Sequence, residues 1–227
     1  MLSLIVAAAV AAASPACPDV VTADALVCRA LDAQRKGDNE SSAQSFEEAA
    51  KASPADQPAT ARMWAAAGNM WIAAGQPGKA ALALDRALTG TGLQAEQRGE
   101  ALLDRARAAE SQGDLKTARA KLNEAAPTIS GDPYYWYFSA ALAIREGDKA
   151  IAQSAINKAL SLAPTDPAIL FEAGHVADFM GNEDQARSYW MRAAGSDPDG
   201  PAGKAAAKAI EMLGVTPTVK SEAQSPK

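Results

Sequence analysis

Histidine occurs once in this sequence, at His175, and cysteine twice, at Cys17 and Cys28. One imidazole cannot build a His-rich metal site, and no second histidine exists to activate a nucleophile elsewhere. The glycines stand singly rather than clustered ahead of a helix, which excludes a phosphate-cradling loop. There is no basic run and the net charge is -5, whereas nucleic-acid binders gather Lys and Arg on one face to neutralise phosphates. No apolar run reaches the ~20 residues of a membrane-spanning helix. The adjacent Glu47 and Glu48 diverge by about 100 degrees on a helix, so they read as a solvated face and not as an acid–base pair. These absences point away from an enzyme, a cofactor, a metal centre and a nucleic-acid partner.

Aromatic residues make up only 5% of a chain that is 48% apolar. Alanine supplies much of the remainder, so close helix–helix packing must replace large side chains in the core, and alanine is also the best helix former. Residues 133–166 and 167–200 copy one another with a period of 34 residues: Pro133, Gly147, Ala159 and Pro164 fall on Pro167, Gly181, Ala193 and Pro198. Each copy is two short helical patterns split by Gly-Asp or Gly-Asn, the pattern of an antiparallel helical hairpin with a tight turn. With the turn glycine as repeat position 15, Gly37, Gly75 and Gly113 define three earlier units at 23–56, 61–94 and 99–132. The four-residue breaks at 57–60 and 95–98 read as surface insertions.

Position 4 carries Leu26, Trp64, Leu102, Trp136 and Leu170, and position 8 carries Ala30, Gly68, Ala106, Ala140 and Gly174. Position 24 carries Phe46, Leu84, Leu122, Ile156 and Trp190. Alanine stands at position 27 in every unit, from Ala49 to Ala193. This pattern resembles the tetratricopeptide repeat family. Ser42 departs from it at position 20, and Gly92 and Ser130 replace the terminal proline. The resemblance implies an all-α, right-handed solenoid of five helix-turn-helix repeats over 23–200, and it places the tryptophans between the two helices of each hairpin. A solenoid must cap its last hydrophobic face, and residues 201–214 have the helical spacing of such a cap. The tail 215–227 is too polar and Pro-rich to fold.

Met1 to Ala13 is almost wholly apolar and is followed by Ser14-Pro15-Ala16, a small-x-small cleavage pattern, so 1–16 reads as a signal peptide of an exported bacterial protein, periplasmic or secreted. Residues 17–22 form a short N-terminal segment. Cys17 would then be first in the mature chain, and three readings stay open. A Cys17–Cys28 disulfide would tie that segment to the first helix. Cys17 would otherwise carry a lipid anchor, against which Ser14 departs from the usual box, or Cys28 is a small buried residue with no partner.

In the family's fold, positions 2, 5, 9 and 12 look into a concave groove. Arg62, Asn69 and Arg107 there are expected to hold carboxylate or backbone groups of a ligand, although Asp104 leaves the family's carboxylate-clamp pattern incomplete. Tyr134, Tyr137 and Phe171 are expected to form an aromatic patch on neighbouring inner helices, with His175 beside it as a groove contact. The implied function is a monomeric, non-catalytic scaffold binding a protein or peptide segment, in envelope assembly or secretion. The alternative is a structural protein that self-associates through its convex face or cap.

Overall fold

The computed structural model describes residues 17–214, so the expected leader at 1–16 and tail at 215–227 lie outside the described residues. The described residues form eleven α-helices: α1 (Ala23–Arg35), α2 (Asn39–Lys51), α3 (Pro58–Ala73), α4 (Pro77–Thr89), α5 (Ala95–Ser111), α6 (Leu115–Ile129), α7 (Pro133–Glu146), α8 (Lys149–Leu162), α9 (Pro167–Phe179), α10 (Glu183–Ser196) and α11 (Pro201–Gly214). Each odd helix pairs with the even helix that follows, giving five hairpins, and α11 packs on both α9 and α10. The expected all-α solenoid is the observed fold.

The hairpin turns show how local chemistry writes the repeat. Gly37, Gly75, Gly113, Gly147 and Gly181 all have positive φ, from +70° to +85°, where a side chain is strained. The next residue then caps the second helix. Asp38, Asp114 and Asp148 accept from the backbone N–H groups of Ser41, Thr117 and Ile151 at 2.9–3.0 Å, and Asn182 accepts from Gln185 N–H at 3.2 Å. Hydrogen bonding to the Ser41 and Thr117 side chains, and then to these backbone N–H groups, holds the Asp38 and Asp114 carboxyls below the usual carboxylate range. The second unit lacks a capping carboxylate and uses Pro77 in the first turn.

The core is a chain of apolar clusters, each shared by neighbouring hairpins. One gathers Phe46, Trp71 and Leu84, another Leu102, Leu122 and Leu142, and the last joins Leu170 and Trp190 to Ala206 and Ala209 of α11. The small residues of position 8 set the spacing. A Cβ at Gly174 would overlap the Trp190 indole, which lies 3% exposed and donates its Nε1–H to the Phe171 carbonyl at 3.0 Å.

The four-residue breaks are not surface insertions. Helices α3 and α5 start at Pro58 and Ala95, so each inner helix simply begins about one turn early. Four residues are close to the 3.6 of one α-helical turn, so the added turn keeps the apolar phase. It is also packed: Thr60 is buried and donates its hydroxyl to the Pro54 carbonyl at 2.7 Å, and Arg98 donates to the Leu88 carbonyl at 2.8 Å. The α2/α3 and α4/α5 joints are accordingly more extensive than α6/α7 and α8/α9.

Cys17 and Cys28 are joined as a disulfide with Cα atoms 5.7 Å apart. Arg29 of α1 also donates to the Val20 carbonyl, so the short N-terminal segment is held against α1 at two places.

Candidate partner-binding groove

Inner helices contact one another along the solenoid, at α3/α5, α7/α9 and α9/α11, while successive outer helices make no substantial contact. The odd helices therefore form the tighter, concave side. Their N-terminal half is indented by two adjoining clefts of about 310 and 420 Å³, which share Phe46, Arg62 and Ala66. The first also reaches Asn69, Leu93, Glu100 and Asp104, and the second Asp24, Val27 and Met63. Arg62 is exposed between them and makes no hydrogen bond or ion pair among the described residues.

Asn69 and Arg107 are in a different position. Asn69 donates to Asp104 Oδ2 at 2.8 Å, and Arg107 donates to Asp104 Oδ1 at 3.1 Å. The two side chains expected to receive a ligand carboxylate thus already share an internal one. Partial desolvation, with Glu96, Asp104 and Asp132 nearby, raises the Glu100 carboxyl. Arg145 pairs with Glu110 further along the same side.

The aromatic residues divide into two groups. Tyr134 and Tyr137 meet edge to face at 6.1 Å. Tyr134 is 46% exposed and donates its hydroxyl to Asp166 Oδ2 at 2.7 Å; that hydrogen bond, then desolvation, pushes its phenol up to about 12. Tyr137 is half-buried, and burial raises it too. Phe171 stacks edge to face on His175 at 4.3 Å, and His175 on Trp190 at 5.6 Å. Phe171 packs on the cluster of its own hairpin and α11, whereas Tyr137 packs on the clusters that join the fourth hairpin to the third and to the fifth.

Two participants carry weaker sequence signals. Glu172, next to Phe171, is 6% exposed and contacts His175 Nδ1 through Oε2 at 3.3 Å, an i,i+3 pair visible in the sequence. Glu47, expected on a solvated face, accepts from Trp71 Nε1–H at 2.8 Å and from Lys51 at 2.9 Å. Among the described residues no group of three or more His, Cys, Asp or Glu is arranged to hold a metal ion, and no helix is long and apolar enough to cross a membrane.

Two tetratricopeptide repeat family models match the chain, over residues 29–95 and 133–166. No curated protein matches it. Among solved structures the chain is similar to PilW, described as a widely conserved type IV pilus biogenesis factor, with TM-score 0.66 and 19% identity over 81% of each chain. It is similar to PilF of Pseudomonas aeruginosa, with TM-score 0.64 and 15% identity over 84% of this chain and 83% of that one. It is also similar to YrrB, described as a TPR protein with an unusual peptide-binding site, with TM-score 0.57 and 17% identity over 82% of this chain and 92% of that one. Matched family models, five glycine-cornered hairpins and a capped helical solenoid agree: the chain is a tetratricopeptide repeat protein.

Proposed function

We propose that the chain is a non-catalytic scaffold that holds a segment of another protein in its concave groove. The observation that supports this most is the pair of adjoining clefts around Arg62, an exposed cation that makes no ion pair among the described residues, flanked by Phe46 and Met63. Such a site suits a segment presenting an apolar side chain beside a carboxylate, with the half-exposed Tyr134 further along the same side. Binding by a preformed surface needs little rearrangement. We further propose export to a bacterial periplasm after removal of residues 1–16, and a role in envelope assembly or secretion. The apolar leader supports export, and the pilus biogenesis factor among the similar structures is in keeping with an envelope role.

Crosslinking with mass spectrometry on intact cells identifies the partner, and the exposed residues Arg62 and Tyr134 then test the groove. Tyr137 and Phe171 are unsuited because both pack into core clusters. Arg62→Glu with Tyr134→Ala is expected to weaken capture by at least about 2 kcal/mol, the hot-spot scale, with helicity unchanged. Capture at wild-type level would place the partner elsewhere. Light scattering after size exclusion separates this from self-association through the convex face or cap, which predicts a stable homo-oligomer. Intact-mass measurement on protein from the native host is expected to give a chain starting at Cys17; a chain starting at Met1 would refute export. The same mass distinguishes a disulfide, lighter by two hydrogens, from a lipidated cysteine.

A further inference from the structure

The outer face carries a second site that the groove does not use. Between α2 and α4, over the floor of α3, lies a cleft of about 320 Å³ lined by Glu47, Lys51, Trp64, Trp71, Lys79 and Arg86, with Leu82 at its wall. Two of the chain's four tryptophans meet here, and each is covered by cations. Arg86 stacks on Trp64 at 4.5 Å with Lys51 at 5.8 Å, and Lys79 sits over Trp71 at 4.2 Å. A guanidinium lying on an indole is fixed in orientation while its in-plane N–H donors stay free at the edge. The available carboxylates are few. Glu47 is already shared by Lys51 and Trp71, Glu40 reaches Lys79 only at 3.9 Å, and Arg86 makes no ion pair among the described residues. Leu82 is 68% exposed, a large apolar residue left in water beside these charges.

The corresponding outer cleft two hairpins later shows what a self-satisfied version looks like. Between α6 and α8, Arg119 donates to both oxygens of Glu146 at 3.1–3.2 Å and to the Ser139 hydroxyl at 3.0 Å, so its charge is neutralised from within. In the α2/α4 cleft the lining acid, Glu47, is taken up by Lys51 and Trp71 and leaves Arg86 without an ion pair among the described residues. Charge is also unevenly spread: the outer helices α2, α4, α6, α8 and α10 hold ten Lys and Arg against seven Asp and Glu, in a chain with 22 against 27.

We propose that the α2/α4 cleft is a docking site for an acidic segment of a partner protein, one that sets carboxylates against Lys79 and Arg86 and an aliphatic side chain against Leu82. It is independent of the groove. One polypeptide segment meets both demands, charge and apolar contact, at the scale of this cleft.

The full chain, labelled with ¹⁵N, reports on the site through its four indole N–H signals. The probe is a short acetylated, amidated peptide alternating Glu and Leu, which carries no terminal carboxylate. Titration to about 1 mM is expected to move the Trp64 and Trp71 signals saturably and leave Trp136 and Trp190 in place. Lys79→Glu with Arg86→Glu is expected to weaken binding at least about tenfold, as is raising salt from about 50 to about 500 mM. Both residues are exposed, and Lys79→Ala with Arg86→Ala repeats the test without adding acid. Arg62→Glu, in the groove, should change nothing; loss there instead would assign the peptide to the groove and overturn the proposal. So would an unmoved Trp64 and Trp71 pair, or equal shifts with a Lys-Leu peptide. Binding to phosphatidylglycerol vesicles without binding to the peptide would reassign the cleft to a membrane surface and equally overturn it.

Discussion

Gly174 offers the sharpest test of how the hairpins are packed, because the smallest possible addition is already too large. A methyl group there overlaps Nε1 and Cδ1 of Trp190. The indole cannot swing away freely, since it is 3% exposed, bonded to the Phe171 carbonyl at 3.0 Å and in ring contact with His175. Gly174→Ala therefore costs about 1 to 3 kcal/mol in overpacking and about 0.5 to 1.5 kcal/mol if the Trp190 hydrogen bond breaks. Better helix propensity returns about 1 kcal/mol. The expected net loss is about 0.5 to 3.5 kcal/mol, read from urea denaturation. Hydrogen exchange should place it in α9, α10 and α11, whose shared cluster contains Trp190, with α1 to α4 unaffected, because each solenoid unit touches only its neighbours. Adding Trp190→Leu should make room for the methyl, giving a favourable coupling of at least about 1 kcal/mol in a double-mutant cycle. A variant as stable as wild type, or protection lost evenly along the chain, would refute the reasoning.

Tyr134 should titrate near pH 12 by phenolate absorbance, because its folded-state pKa is raised above the ordinary value of 10.0 by its bond to Asp166. Stability from this phenol is complete below about pH 10 and is lost as pH rises toward 12; Tyr134→Phe should lack that slope, and an unchanged slope would exclude the bond. Reducing Cys17–Cys28, which are separated by 11 residues, should lower stability by about 3 kcal/mol on the loop-entropy model, starting with loss of exchange protection in α1. No change on reduction would show that the segment is held by Arg29 alone.

The repeat frame was legible because it rests on steric rules that recur at fixed positions: glycine where φ is positive, a short acceptor after it, and small residues where helices meet. What escaped the sequence depends on register between repeats. The breaks at 57–60 and 95–98 read as surface insertions between repeats, yet a four-residue addition preserves helical phase and lengthens α3 and α5. Asp104 was read as a departure from a clamp pattern. Its role as acceptor for Asn69, 35 residues earlier, appears only once α3 and α5 lie side by side. Glu47 reads with Glu48 as a solvated face because adjacent helix positions diverge by about 100 degrees, while Trp71 reaches it from the next hairpin. Phe171 was grouped with the tyrosines by position number, but its ring turns toward His175 and the last hairpin.

The five glycine corners agree to within 15° of φ, so the hairpins turn alike at this residue. The joints between repeats, by contrast, are unequal. An extra packed turn reinforces α2/α3 and α4/α5, whereas α6/α7 and α8/α9 meet over less surface. The first three hairpins are thus the more extensively joined part of the solenoid, and two smaller joints follow. The clefts around Arg62 lie within the more extensively joined part, whereas Tyr134 and His175 stand on the last two hairpins, beyond the smaller α6/α7 joint.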